Sequence, residues 1–115
     1  METEVLYQVQ DGVATITMNR PQSLNSMNPG LIDGLHEALT KAAEDTAVRC
    51  LVLTGAGRAF CAGGDLGLTL PLMTGARAPQ DEFDRRLLDD PRTLAASSPR
   101  GFAIVEPTIC ALNGP

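Results

Sequence analysis

The chain has 115 residues, which predicts one domain, and its 43% hydrophobic and 20% charged residues are ordinary for a globular protein. Nine Lys and Arg against 14 Asp and Glu give a net charge of −5. This charge disfavours binding to nucleic acid or to an anionic membrane surface, because both are polyanions, and we expect neither partner. No apolar stretch is long enough to span a bilayer, and no signal peptide is recognisable, so a cytoplasmic location is expected.

The cysteines and the histidine argue against a metal centre. Cys50, Cys61 and Cys110 each lie in an apolar run, which is typical of free thiols packed in a core in a reducing compartment. None of them has metal-ligand spacing, and the single His36 does not complete a zinc site. We expect no bound metal.

The N-terminal segment predicts a β-hairpin. Apolar and polar residues alternate over residues 5–9 and again over residues 13–19. Asp11 and Gly12 stand between the two runs and form a dipeptide that favours a tight hairpin turn. Pro21 ends the second strand because proline donates no hydrogen bond to a sheet.

A helix and a buried strand are predicted next. Asn28 suits an N-cap and Pro29 the first helical position, so the helix is predicted over Pro29–Glu44. Its apolar residues recur at helical spacing: Leu31, Ile32, Leu35, Ala38, Leu39, Ala42 and Ala43. Residues 48–54 are nearly all apolar, which predicts a central strand covered on both faces. Strand, helix and strand together predict a parallel pair with a right-handed crossover.

The second half of the chain is less regular. A short helix is predicted over residues 66–73 and an amphipathic helix over residues 81–90. The remainder of residues 74–101 is rich in proline and charge and is predicted to be loop. Residues 108–112 predict another buried strand.

A glycine-rich turn follows the strand at residues 48–54, reading Gly-Ala-Gly-Arg-Ala-Phe-Cys-Ala-Gly-Gly-Asp-Leu from residue 55 to residue 66. Such a turn can aim main-chain N–H groups at a developing negative charge on a substrate oxygen. A dinucleotide fingerprint would need Gly or Ala where Phe60 stands, and no P-loop Lys-Ser/Thr pair follows a glycine. The alternative to such a binding role is that these glycines serve only to permit a tight turn.

Three blocks of this sequence resemble the crotonase (enoyl-CoA hydratase/isomerase) family in content and order. They are Val-Ala-Thr-Ile-Thr-Met-Asn-Arg-Pro at residues 13–21 with Leu-Asn-Ser-Met at 24–27, the run over residues 49–66, and Pro-Thr-Ile-Cys-Ala-Leu-Asn-Gly at 107–114. The resemblance covers nearly the whole chain except about residues 68–106. It implies an α/β, crotonase-like (ClpP/crotonase) fold of ββα repeats that is incomplete in this chain. Residues 1–115 would be the N-terminal part of a single such domain, and residues 74–101 its variable region.

The resemblance also implies a substrate and a site. It implies an acyl-CoA thioester substrate, no cofactor beyond the coenzyme A carried by that substrate, and assembly into a homotrimer or a dimer of trimers. The backbone N–H of Gly64 matches a donor of the family's oxyanion hole. The positions that match the acyl-CoA site are Ala62, Asp65, Leu66, Leu24 and Ser26.

Several of these residues have a simpler interpretation. Asp65 stands before a predicted helix and suits an N-cap better than a catalytic carboxylate. Arg58 fits a surface turn better than a coenzyme A phosphate contact, and Cys61 fits core packing better than a nucleophile. The acidic pairs at residues 81–82 and 89–90 are typical of a solvated face.

The reaction itself stays open at this stage. In the family, a second oxyanion donor and the catalytic carboxylates follow the Asn-Gly-Pro at residues 113–115. Hydration of a 2-enoyl-CoA is the first expectation, because it is the commonest activity of the family. Isomerisation or another thioester reaction is the second, and a non-catalytic acyl-CoA-binding module is the third. We expect residues 1–115 alone to be inactive and to fold poorly.

Overall fold

The first two strands form the predicted hairpin. The computed structural model describes residues 3–65, 67–90, 92–95 and 106–115. Strands β1 (Val5–Gln10) and β2 (Val13–Met18) pair antiparallel, with Val5 opposite Met18. Asp11 and Gly12 connect them with φ angles of 52° and 79°, the two positive values that a tight two-residue turn between twisted strands requires. The strand ends differ from the predicted ends by one residue each.

Helix α1 (Pro29–Glu44) has the predicted bounds. The side chain of Asn28 caps it by accepting a hydrogen bond from the N–H of Leu31 at 2.8 Å. Most of its predicted apolar stripe is buried in the core with the sheet, and Leu35 and Leu39 are only 1% and 2% exposed. Ala43, which was predicted to belong to the stripe, is exposed. The local signals of a cap and of period 3.6 therefore predicted this helix correctly.

The sheet has the order β1-β2-β3-β4. Strand β3 (Cys50–Gly55) is parallel to β2, with Val52 opposite Thr15, and β4 (Thr108–Cys110) is parallel to β3. The carboxyl ends of β2, β3 and β4 consequently lie at one edge of the sheet. The central position of β3 confirms the sequence-based prediction, although the strand begins two residues later than predicted. Full coverage of both faces was not confirmed, because only Leu51 is buried and the other residues of β3 are half-buried.

The prediction that the last strand is buried was wrong for the described part of the chain. All three residues of β4 are exposed, Ile109 to 54%, and Leu112 beyond the strand is 71% exposed. The physical reason is that β4 is an edge strand, paired on one side with β3. The strand also ends at Cys110, two residues earlier than predicted.

Three further helices lie between β3 and β4 in the chain. They are α2 (Thr69–Met73), α3 (Glu82–Asp89) and α4 (Arg92–Ala95). Ile32 of α1 forms a second small core with Leu72, Phe83 and Leu87. Helix α3 confirms the helix predicted at residues 81–90, whereas α4 lies in a segment that was predicted to be loop. No helix among the described residues is long and apolar enough to cross a membrane.

Candidate functional site

Asn25 ties the loop after β2 to the turn after β3. Its side chain is fully buried, and its Nδ2 donates to the carbonyls of Ala56 and Ala59 at 3.0 and 2.9 Å. Its Oδ1 accepts from the N–H of Arg20 at 2.7 Å. A Cβ at Gly55 would lie 2.6 Å from the carbonyl oxygens of Ala59 and Phe60, so the close approach of these segments requires glycine there.

Asn113 holds the same turn from the other side. Its Nδ2 donates to the carbonyls of Gly57 and Ala59 at 2.9 and 3.0 Å, and its Oδ1 accepts from the N–H of Gly55 at 3.3 Å. The three sequence blocks thus meet at one turn. Sequence reasoning did not assign this role to either asparagine, because their partners in the turn lie 31 to 58 residues away along the chain.

A short parallel bridge joins Met27 to Gly64. The N–H of Met27 donates to the carbonyl of Gly63 at 2.6 Å, and the N–H of Asp65 donates to the carbonyl of Met27 at 2.9 Å. In a parallel bridge, one residue of the pair lies between two neighbours that form the hydrogen bonds, and it points its own N–H away from the partner strand. Gly64 is that residue here, because Gly63 and Asp65 form the hydrogen bonds with Met27. The N–H of Gly64 therefore faces away from Met27, and no acceptor for it occurs among the described residues.

Gly63 and Gly64 differ in their backbone conformation and in the space around them. Gly63 has a φ of 103°, which is unfavourable for any residue with a Cβ. Gly64 has no such φ, is exposed, and a Cβ there would find its nearest atoms 3.9 Å away on Thr69. Gly64 consequently leaves open space around its N–H, whereas Gly63 supplies the turn.

Asp65 does not cap helix α2, and this prediction was wrong. The helix begins at Thr69, and Leu68 precedes it without a side-chain cap. The Oδ1 of Asp65 instead accepts from the N–H of Gly67 at 3.0 Å, and its Oδ2 forms an ion pair with Arg20 at 3.5 Å. The carboxylate therefore closes a turn that precedes the helix. It also neutralises the positive charge of Arg20, which lies 45 residues earlier in the chain.

Arg20 lies between this turn and the loop that precedes α1. Its side chain is 12% exposed. One guanidinium nitrogen, Nη1, donates to the carbonyl of Ser26 and to its Oγ, and the other, Nη2, faces Asp65. The N–H of Ser26 donates to the carbonyl of Ser23, which makes this loop compact.

The remaining predicted site residues are only partly brought together. Leu24 and Ala62 line one cavity of about 190 Å³ with Arg58, and the N–H of Ala62 donates to the carbonyl of Leu24 at 3.0 Å. Gly64 does not line this cavity. Leu66 lies outside the described residues.

The other residues that were weighed take ordinary structural positions. Cys61 is half-buried and packs against the main core. Asp81 caps α3 by accepting from the N–H of Asp84, and a hydrogen bond from Arg92 lowers the pKa of Asp90. Within the described ranges, no cluster of His, Cys, Asp or Glu is arranged to hold a metal ion.

Similarity to known proteins agrees with this architecture. The family described as Enoyl-CoA hydratase/isomerase matches residues 8–114. The 1,2-epoxyphenylacetyl-CoA isomerase of Escherichia coli K12 is 39% identical over 110 residues, which are 96% of this chain and 40% of that protein. A Mycobacterium leprae protein named probable enoyl-CoA hydratase echA12 is 39% identical over 109 residues, which are 90% of this chain and 34% of that protein.

A solved structure shares the fold. The crystal structure of an enoyl-CoA hydratase/isomerase from Mycobacterium paratuberculosis superposes with a TM-score of 0.75 at 36% identity, over 100% of this chain and 43% of that one. The chain thus spans about 40% of the length of the E. coli relative and has part of the crotonase fold. By sequence and by fold together, this chain belongs to the enoyl-CoA hydratase/isomerase family.

Proposed function

We propose that the complete protein binds an acyl-CoA thioester and that the N–H of Gly64 stabilises negative charge on the thioester oxygen. Hydration of a 2-enoyl-CoA is the reaction we propose first, and isomerisation or another thioester reaction is the alternative. The names of the relatives are consistent with both reactions, since one is named probable enoyl-CoA hydratase and another 1,2-epoxyphenylacetyl-CoA isomerase. A trimeric or dimer-of-trimers assembly and a cytoplasmic location stay predictions.

The observation that carries the proposal is the direction of the Gly64 N–H. Addition to the β-carbon of an enoyl thioester, or removal of an α-proton, moves negative charge onto the carbonyl oxygen. A donor that is already fixed stabilises this charge without reorganising during the reaction. The hydrogen bonds of Met27 to Gly63 and Asp65 fix the backbone, and the space around Gly64 is open enough for a Cβ to meet its nearest atoms only at 3.9 Å.

The cavity beside this bridge suits the coenzyme A part of the substrate. Leu24 and Ala62 supply apolar walls, and Arg58 adds a positive charge next to them. We propose that an extended, uncharged arm such as pantetheine lies against Leu24 and Ala62. Ser26, Asp65 and Leu66 belong to the same proposed binding region. The coenzyme A is part of the substrate, so the proposal requires no separate cofactor.

The role of Gly64 is tested by removing its N–H in the complete protein. Gly64→Pro deletes the donor, and we expect kcat for hydration of a short 2-enoyl-CoA to fall by about 10²-fold or more. Gly64→Ala is the matched variant, because it keeps the N–H and places a methyl group in open space. We expect Gly64→Ala to retain a kcat far above that of Gly64→Pro.

Two controls make the result interpretable. Near-ultraviolet circular dichroism and thermal unfolding show whether both variants are folded. Calorimetric titration with coenzyme A shows whether the ligand still binds. A folded Gly64→Pro variant with unchanged turnover would refute the proposed role, and a wild-type protein that binds acyl-CoA without any turnover would support the binding-module alternative.

A further inference from the structure

We infer that Arg20 is a positioning residue that fixes the direction of the Gly64 N–H by joining the two segments of the Met27–Gly64 bridge. The inference rests on the function proposed for Gly64. Arg20 itself does not contact the N–H, and its effect would pass through the backbone on either side.

The guanidinium contacts one residue of each bridge segment. Ser26 immediately precedes Met27, and Asp65 immediately follows Gly64. Nη1 donates to the carbonyl and the Oγ of Ser26, while Nη2 lies 3.5 Å from the Oδ2 of Asp65. Arg20 therefore spans the same two segments that the bridge hydrogen bonds join, at positions adjacent to the paired residues.

The position of Arg20 is itself held in place. Its N–H donates to the Oδ1 of Asn25 at 2.7 Å, and its carbonyl accepts from the N–H of Asn25 at 2.9 Å. Its side chain is 12% exposed and that of Asp65 is 20% exposed, so water screens this pair less than it screens a pair on the surface. A rigid guanidinium anchored in this way can act as a fixed point for both segments.

Among the described residues, only one further backbone hydrogen bond joins the two segments, from the N–H of Ala62 to the carbonyl of Leu24, so an additional fixed point matters. The bridge itself consists of two backbone hydrogen bonds, and its second segment contains Gly63 and Gly64, which restrict the backbone less than any other residue. Loss of the Arg20 contacts would let the Gly64 N–H take a range of directions. A displacement of about 1 Å at a catalytic group can lower a rate by about 10²-fold.

Two conservative variants separate this role from simple packing. Arg20→Lys keeps the charge, but its single ammonium nitrogen does not reproduce the fork that contacts Ser26 and Asp65 together. Asp65→Asn keeps an oxygen for the N–H of Gly67 and places an NH₂ donor toward the Nη2 of Arg20, where two donors oppose each other. Arg86→Lys and Asp33→Asn are the matched controls, because these residues form an exposed pair 3.7 Å apart between α3 and α1.

In the complete protein, Arg20→Lys and Asp65→Asn should each lower kcat for 2-enoyl-CoA hydration by about tenfold to 10²-fold. Arg20 is outside the proposed binding region, so Arg20→Lys should change KM and coenzyme A affinity by less than about threefold. The ultraviolet absorbance of a bound β-ketoacyl-CoA should show a smaller enolate fraction in both variants, because the enolate charge lies on the thioester oxygen. The two control variants should match the wild type in both measurements.

The outcomes distinguish this inference from the function on which it rests. If Gly64→Pro is impaired but folded Arg20→Lys and Asp65→Asn keep wild-type kcat and enolate fraction, the positioning role is wrong and the proposed function stands. If folded Gly64→Pro keeps the wild-type kcat, the function proposed for Gly64 is wrong, and the positioning role of Arg20 is wrong with it. Asp65→Asn preserves the shape of the side chain, so it keeps the test decisive if Arg20→Lys does not fold.

Discussion

The side chains of Asn25 and Asn113 donate to the same acceptor, the carbonyl oxygen of Ala59, at 2.9 and 3.0 Å. One asparagine follows β2 and the other follows β4, while Ala59 belongs to the turn after β3. The glycine-rich turn is thus held from both sides by residues that are 88 positions apart in the chain.

Asn25→Ala should cost far more stability than Asn113→Ala. Asn25 is fully buried, so its loss leaves a buried carbonyl with one donor fewer, and we expect a loss of about 1–3 kcal/mol. Asn113 is exposed, so water can replace its hydrogen bonds, and we expect a loss below about 1 kcal/mol. Denaturant unfolding of the complete protein measures both values.

A third variant isolates the backbone contribution. Asn25 has a φ of 55°, which asparagine tolerates better than alanine does. Asn25→Gly removes the same hydrogen bonds without this strain, so it should be less destabilising than Asn25→Ala. Equal stability of Asn25→Ala and the wild type would contradict the role assigned to this side chain.

The Arg77–Asp84 pair should make the packing of α3 sensitive to acid. The Arg77 guanidinium, which donates to Asp84 at 2.6 Å, and the N–H of Gln80 lower the pKa of Asp84 from its usual 3.8 to about 2. A lowered pKa stabilises the folded state above pH 3.8, and that stabilisation is lost as the pH falls through about 2. We expect the melting temperature of wild type to fall toward that of Asp84→Asn between these pH values.

The control for this prediction is a carboxylate whose pair is exposed. Asp33→Asn, from the surface pair with Arg86, should leave the acid part of the stability curve parallel to that of the wild type. If the Asp84→Asn and wild-type curves also stay parallel from pH 5 to about pH 2, the stabilising role of this pair is wrong.

Substitution by alanine should lower the free energy of unfolding at Gly55 but leave it almost unchanged at Gly64. Gly55→Ala would bring a methyl carbon within 2.6 Å of two backbone carbonyl oxygens, which cannot move without opening the turn. We expect it to cost about 1–3 kcal/mol in denaturant unfolding. Gly64→Ala meets its nearest atoms at 3.9 Å, so its free energy of unfolding should stay within about 0.5 kcal/mol of the wild type. The reverse order of stability would contradict the close packing of this turn.

Residues 1–115 produced alone should self-associate. Ile109 and Leu112 are 54% and 71% exposed, and β4 presents a free edge that can pair with another chain. Ile109→Lys should reduce this association in analytical ultracentrifugation, because a charge on an edge strand disfavours pairing. The exchange Thr40→Lys on α1 is a control of equal charge, and it should not change the association. A monomeric wild-type segment with a sharp unfolding transition would show that this exposed surface is harmless.

The parts of the fold that were predictable have local signals. The turn at Asp11 and Gly12 and the cap at Asn28 are recognisable within a few residues, and the hairpin and α1 were accordingly predicted almost to the residue. The exposure of Ile109 was not predicted, because an apolar run does not reveal how many neighbouring strands pair with it.

The site illustrates the same limit. The turn around Gly64 was found because glycines and a strand are adjacent in sequence, whereas the contacts that hold it were missed. Arg20 reaches Asp65 across 45 residues, and no periodicity or spacing marks such a pair. The wrong prediction of a cap at Asp65 has this cause, because its partner Arg20 and the later start of α2 are both invisible in the local pattern.

The convergence of Asn25 and Asn113 on the Ala59 carbonyl also has a kinetic consequence. The hairpin and α1 consist of contacts close in sequence, which form early in folding because few residues lie in the loops they close. The last hydrogen bonds of the glycine-rich turn wait until β4 has paired with β3 and brought Asn113 into place. We therefore expect a chain emerging from the ribosome to acquire its helix and hairpin well before it acquires the geometry around Gly64.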